Sequence, residues 1–126
     1  MRQGVWLGLA GILGLGAVVL GAYGAHGRFD GEPAAAALFE TAHTYHIWHG
    51  LAVLALALAP GEARAGVLPT LAGIGFVLGI VLFSGSLYAS ALGGPAGLAP
   101  LTPVGGASFM IGWLALLLAG LGRLRS

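Results

Sequence analysis

The chain has 126 residues, of which 58% are hydrophobic and only 7% are charged, and its formal net charge is +1. A soluble domain averages about 25% charged residues, so this composition excludes an ordinary water-soluble domain and indicates that lipid is the solvent. No basic run points to nucleic acid as a partner. The absence of cysteine excludes disulfides and thiolate metal ligands.

The length of the chain sets the number of helices. A membrane-spanning helix takes about 20 residues, so 126 residues accommodate four spans and short loops in a single domain. Apolar runs separated by Gly, Pro and charged residues predict these spans at about 5–25, 34–59, 67–92 and 102–121. The predicted fold class is therefore an all-α integral membrane protein, a four-helix transmembrane bundle.

The first span follows Arg2 directly, as the apolar segment of a signal peptide would. Such a segment is normally about 7–15 residues long, and the run here is longer and rich in glycine. We therefore predict a retained span. Its small residues recur four apart, a spacing that lets helix backbones approach closely in lipid.

The second span contains the polar side chains that make this chain unusual. Pro33 is well placed at its first turn, and a purely apolar run from Leu51 ends it before Pro60. If the end of the helix at Pro60 lies at one edge of the bilayer, Glu40 and His43 lie near the opposite edge, whereas His49 approaches the middle of the bilayer. Ionisable groups are costly at that depth and usually face protein or water. His49 is therefore the histidine that most needs a partner.

The third and fourth spans supply polar groups at the same level. The second half of the third span contains Ser84, Ser86 and Tyr88, and Thr102 precedes Pro103 as a plausible N-cap of the fourth. Serine in a membrane helix can also bond to its own backbone.

Arginine sets the predicted orientation. Four arginines lie on one side, at Arg2, Arg64, Arg123 and Arg125, and Arg28 lies alone on the other. The positive-inside rule then places both termini in the cytoplasm. The outer half collects the polar side chains of all four helices: His26, Glu40, His43, Tyr45, His46, Ser84, Ser86, Tyr88, Ser90 and Thr102.

The spacing of the histidines leaves several interpretations open. Positions three apart are separated by about 60° around a helix, so neighbouring histidines share a face but His43 and His49 do not. A zinc or iron site would therefore need ligands from elsewhere, and its candidates are His26, Glu40, His43, His46 and His49. Haem held by His26 and His43 is a further alternative. A proton relay would stop at His49, because 51–59 carries nothing titratable. The simplest interpretation is structural hydrogen bonding between helices.

Four motifs in order resemble the family called domain of unknown function 423 (YgdD-like). They are Gly21-Ala-Tyr-Gly-Ala-His26-Gly, Tyr45-x3-His49-x-Leu-Ala52, Leu82-Phe-Ser-Gly-Ser-Leu-Tyr88 and Thr102-Pro-Val-Gly-Gly-x-Ser-Phe109. The resemblance covers nearly the whole chain and implies a small four-span protein of the inner (plasma) membrane without an established activity. It singles out His26, Tyr45 and His49. It makes His46 the least secure ligand candidate, since Gln is expected there.

These observations predict a non-enzymatic membrane protein with a polar cluster in its outer half. The cluster comprises His26, Tyr45, His49, Ser84, Ser86 and Thr102, and it stabilises the bundle or binds a small ligand or lipid headgroup. No cofactor is predicted. The alternatives are a metal- or haem-binding protein and an accessory subunit of a larger membrane complex, and the glycine-lined faces also suit a homo-oligomer. A hydrolase is disfavoured, because Ser84 or Ser86 beside a histidine lacks an acidic third member.

Overall fold

The computed structural model describes all residues from 1 to 126, and every regular element in it is a helix. The elements are α1 (Gln3–Ala25), α2 (Pro33–Leu58), the short α3 (Gly61–Arg64), α4 (Val67–Gly79), α5 (Gly85–Ala91) and α6 (Leu101–Arg123). A π-helical turn, Ile80–Ser84, joins α4 and α5 into one continuous rod, and a 3₁₀ turn, Ala96–Leu98, precedes α6. The predicted all-α class is confirmed.

Three helical segments are long and apolar enough to cross a membrane: Gln3–Ala25, Val67–Ala91 and Ala96–Arg123. Helix α2 has 26 residues but is not among them. It contains three histidines, a tyrosine and two threonines, which lower its hydropathy. The outer surfaces of α1 and α6 expose large apolar side chains, such as Ile12 and Met110. In lipid this exposure carries no hydrophobic penalty.

Helix α2 is the central element of the structure. It packs against α1 on one side and against the α4–α5 rod on the other, while α6 packs mainly against that rod. A core at one end brings all four long helices together through Trp6, Val53, Phe76 and Ala115. The position of α2 explains its composition, because a helix with neighbours on several sides can bond its polar side chains to protein instead of exposing them to lipid.

Both ends of the chain lie at this core end. Arg123 donates from Nη2 to the carbonyls of Glu62 and Ala63, at 2.8 and 2.9 Å. Gln3 donates from Nε2 to the carbonyl of Ala57 at 3.0 Å. The start of α1, the end of α2, α3 and the end of α6 therefore share one face of the protein.

The loop between α1 and α2 closes the opposite end. Phe29 is buried and its ring centroid lies 4.9 Å from that of Phe39. Arg28 donates to the Tyr23 hydroxyl and forms a 3.1 Å ion pair with Glu32. Because this pair is exposed, it adds little stability, and the burial of Phe29 fixes the loop.

Close helix packing between the α4–α5 rod and α6 depends on glycine. A Cβ atom on Gly75 would lie 2.9 Å from the Cα of Gly112 and 2.9 Å from the carbonyl oxygen of Ser108. A Cβ on Gly105 would meet the backbone of Phe83. Each contact is closer than real Cβ atoms approach, so these helices pack at the distance that only glycine allows.

Candidate functional site

His46 joins α2 to two other helices at once. Its Nε2 donates to the carbonyl of Leu13 on α1 at 2.9 Å, and its Nδ1 lies 2.9 Å from the Tyr88 hydroxyl on α5. A carbonyl oxygen can only accept, so the proton of the neutral ring is on Nε2 and the Tyr88 hydroxyl donates to Nδ1. Both ring nitrogens are thereby engaged, and the ring is buried.

His43 makes a parallel bond one turn away. Its Nε2 donates to the carbonyl of Ala17 at 2.8 Å. Leu13 and Ala17 are four apart on α1, so His46 and His43 bond to successive turns of the same helix face. Gly21 leaves the space for this approach, since a Cβ there would lie 2.9 Å from the His43 Nε2. The two histidines fix the register of α1 against α2.

His49 is held by α6 and by its own helix. The indole Nε1 of Trp113 donates to the His49 Nε2 at 3.0 Å, and the His49 Nδ1 donates to the carbonyl of Tyr45 at 2.7 Å. An indole can only donate, which requires an unprotonated Nε2 and a proton on Nδ1. The ring stacks on Phe109 with centroids 3.7 Å apart and is 3% exposed. His49 is therefore a neutral ring with no nitrogen free for chemistry.

Serine and threonine hydroxyl groups also connect helices. Ser84, in the π turn, donates to the carbonyl of Ala42 on α2 at 2.8 Å. Ser86 and Thr102 share a short hydrogen bond between α5 and α6. Ser108 donates to the carbonyl of Gly75 at 2.8 Å. Each bond satisfies a polar group inside the apolar interior.

The predicted cluster is brought together only in part. Tyr45 stacks on His49 at 5.9 Å, and Ser86 pairs with Thr102. His26 caps the end of α1, is exposed and makes no contact with the others. The structure does not join His49 to either Ser84 or Ser86. The hydrogen bond that His49 accepts from Trp113 was not predicted from the sequence. The signal was the indole N–H of Trp113, which needs an acceptor on a membrane helix.

The metal candidates are also spread apart. No group of three or more His, Asp or Glu side chains is placed to hold a metal ion. His46 and His49 already use both ring nitrogens. Glu40 is exposed on α2, and His26 lies at the chain turn. A metal or haem bound by His46 or His49 would therefore require existing hydrogen bonds to break.

A side cavity opens beside His49. It has a volume of about 470 Å³, and its lining includes Tyr45, Trp48, Phe83, Phe109, Met110 and Trp113. Trp48 is 60% exposed, so the cavity faces outward from the helices. Its volume falls within the range of about 300–1,000 Å³ that small-molecule sites occupy. A second cavity, of about 430 Å³ between α1 and α2, is walled by small residues such as Gly14 and Gly50.

These features define a multi-pass integral membrane protein with an apolar outer surface and hydrogen-bonded polar side chains between its helices. The family model described as "Protein of unknown function (DUF423)" matches residues 20–106. The chain belongs to this family, which confirms the resemblance drawn from the four motifs.

Curated relatives share most of the chain. A Staphylococcus epidermidis protein named "UPF0382 membrane protein" is 41% identical over 93% of this chain and 95% of its own. The Escherichia coli K12 protein "UPF0382 inner membrane protein YgdD" is 42% identical over 92% of this chain and 88% of its own. A Haemophilus influenzae "UPF0382 membrane protein" is 38% identical over 88% and 89%. No solved structure matches the chain. The chain is thus an inner (plasma) membrane protein of an uncharacterised family.

Proposed function

We propose that this protein is a four-span, non-catalytic membrane protein that holds a small lipophilic molecule in the cavity beside His49. The observation that carries the proposal is the aromatic wall of this cavity, which the Trp113–His49 hydrogen bond holds in place. A lateral opening at this position would admit a molecule directly from the hydrocarbon of the bilayer.

Helix α2 is the fourth span in this proposal. Its 26 residues extend about 39 Å at about 1.5 Å per residue, which exceeds the hydrocarbon thickness of about 30 Å. A lone helix with three histidines would be costly in lipid. The bonds of His43, His46 and His49 to protein offset that cost. The whole chain then forms one membrane domain.

The orientation can be tested with single cysteines, because the natural chain has none. We expect Gly97→Cys to react with a membrane-impermeant maleimide on intact spheroplasts, since the residue is exposed at the outer turn. Ser126→Cys is expected to react only after permeabilisation, because the arginine-rich end is cytoplasmic. Labelling is read by a mass shift. Reaction of Ser126→Cys in intact spheroplasts would contradict cytoplasmic termini.

The hydrogen bonds support a scaffold in preference to a catalytic site. A general base needs an accessible nitrogen within reach of a substrate, whereas both nitrogens of His46 and His49 are bonded within the protein. Ser84 donates to a backbone carbonyl and has no histidine or acid beside it as a hydrogen-bond partner. We therefore propose neither an activity nor a resident metal or haem.

Filling the cavity tests ligand retention. A Cβ atom on Gly106 would lie 3.7 Å from the Phe83 ring, an ordinary contact, so Gly106→Leu places its side chain in the cavity without forcing the helices apart. We expect this variant to lose a lipophilic molecule that the wild type retains. The measurement is native mass spectrometry of protein extracted in lipid discs.

The matched control is Gly120→Leu on the same helix. A Cβ there has nothing within 4 Å, so the added side chain faces lipid. We expect this control to retain the same molecule as the wild type. Identical sets of retained molecules in the wild type and Gly106→Leu would contradict the proposed function.

A further inference from the structure

Two hydrogen-bond donors on the cavity wall have no partner in the protein. The Tyr45 hydroxyl and the Trp48 indole N–H make no hydrogen bond within the chain. Serine and threonine hydroxyls in a membrane helix can turn back to their own backbone carbonyls, but the long rings of Tyr45 and Trp48 cannot. Their polar atoms therefore need an acceptor from outside the chain.

The rings that carry these two donors lie side by side. The ring centroids of Tyr45 and Trp48 are 5.7 Å apart, and Tyr45 also contacts Phe83 and Phe109, at 4.8 and 5.9 Å. Tyr45 is 36% exposed and Trp48 is 60% exposed, so both reach the open side of the cavity. Flat aromatic walls favour a flat ring by stacking and by edge contacts.

Depth in the membrane selects the source of the acceptor. Trp48 precedes the end of α2 by about ten residues, or about 15 Å along the helix, which is half of a hydrocarbon core of about 30 Å. Tyr45 lies one turn further out. Headgroups and ester carbonyls of phospholipids lie at the edge of this core. An acceptor near its middle must belong to a molecule that resides in the hydrocarbon itself.

We propose that the cavity binds a membrane-soluble ring compound bearing carbonyl oxygens, of the quinone class, whose oxygens accept hydrogen bonds from Tyr45 and Trp48. This inference rests on the proposed function and adds the chemistry of the ligand. Gly106 and Met110 on α6 also line this cavity.

Removing each donor while keeping an aromatic side chain at its position tests the inference. The probe is decyl-benzoquinone, titrated into detergent-solubilised protein and followed by native mass spectrometry. We expect Tyr45→Phe and Trp48→Phe each to raise the apparent Kd by about three- to tenfold, the effect of losing one hydrogen bond between groups in a membrane protein. Tyr23→Phe, an exposed tyrosine on α1 far from the cavity, is expected to leave the Kd unchanged.

Decylbenzene, which has the same tail but no carbonyl, is the matched probe. It is expected to bind the wild type more weakly than decyl-benzoquinone and to be indifferent to both substitutions. Equal binding of the two probes, or an unchanged Kd in both donor variants, would overturn the inference and leave the proposed function standing. The inference would also be overturned if the wild type were a dimer that Tyr45→Phe and Trp48→Phe dissociate, because a second copy of the chain would then occupy the cavity. If Gly106→Leu bound the quinone as tightly as the wild type, the cavity would not be the binding site, and the proposed function would be contradicted as well.

Discussion

The Gly105→Ala variant is expected to have a free energy of unfolding about 1–3 kcal/mol below that of the wild type, although the change adds a single methyl group. The new Cβ would lie 2.7 Å from the Phe83 Cα and still closer to its backbone nitrogen. Backbone atoms cannot rotate away as a flexible side chain can, so α6 must move away from the α4–α5 rod. Unfolding in detergent, followed by circular dichroism against denaturant, measures the loss.

Gly120→Ala is the control for the change in helix propensity. Both positions lie in α6, but the Cβ at Gly120 meets nothing within 4 Å. Alanine favours a helix over glycine by up to about 1 kcal/mol, so Gly120→Ala is expected to be neutral or slightly stabilising. Equal stability of the two variants would show that Gly105 does not set the helix spacing.

The His49→Ala variant is expected to lose about 2–4 kcal/mol, by leaving the Trp113 indole without an acceptor and opening space beside Phe109. His49 is 3% exposed and stacks on Phe109. The same unfolding measurement applies. His26→Ala removes an exposed histidine that makes no hydrogen bond, so this control is expected to unfold like the wild type.

A second variant separates the hydrogen bonds from the packing. His49→Phe keeps an aromatic ring against Phe109 but provides no acceptor for Trp113, so its loss is expected to lie between those of the wild type and His49→Ala. If His49→Ala were as stable as the wild type, His49 would not be needed to hold the helices together. The hydrogen bond to Trp113, which lines the cavity, would then also not be needed to maintain the cavity's shape.

Helix content, membrane class and family could be predicted from the sequence, because each is recorded in local composition or motif order. The hydrogen-bond partner of His49 on α6 could not be predicted in this way. The predicted depth of His49 required a bond, and the predicted cluster grouped it with Ser84 and Ser86. The actual partner, Trp113, depends on which face of α6 turns towards α2, and interhelical packing alone decides that rotation.

The π turn is a second feature that the sequence conceals. The Gly85 N–H bonds back to the carbonyl of Ile80, one residue further than in an α-helix. This shifts the faces presented before and after the turn, so a regular 3.6-residue period cannot relate Ser84 to the residues of α4. The division of the polar residues between helices likewise follows from packing: His46 joins Tyr88, while Ser86 joins Thr102.

The bonds between α1 and α2 also bear on the order of events during synthesis. Helix α1 leaves the ribosome first, so the carbonyls of Leu13 and Ala17 are available when His46 and His43 emerge. The partners of α2 on α5 and α6, Tyr88 and Trp113, do not yet exist at that moment. A nascent α1–α2 hairpin thus gives His43 and His46 each one partner before the second half of the protein has been translated. In the proposed four-span protein, these two bonds would lower the barrier to inserting the most polar helix.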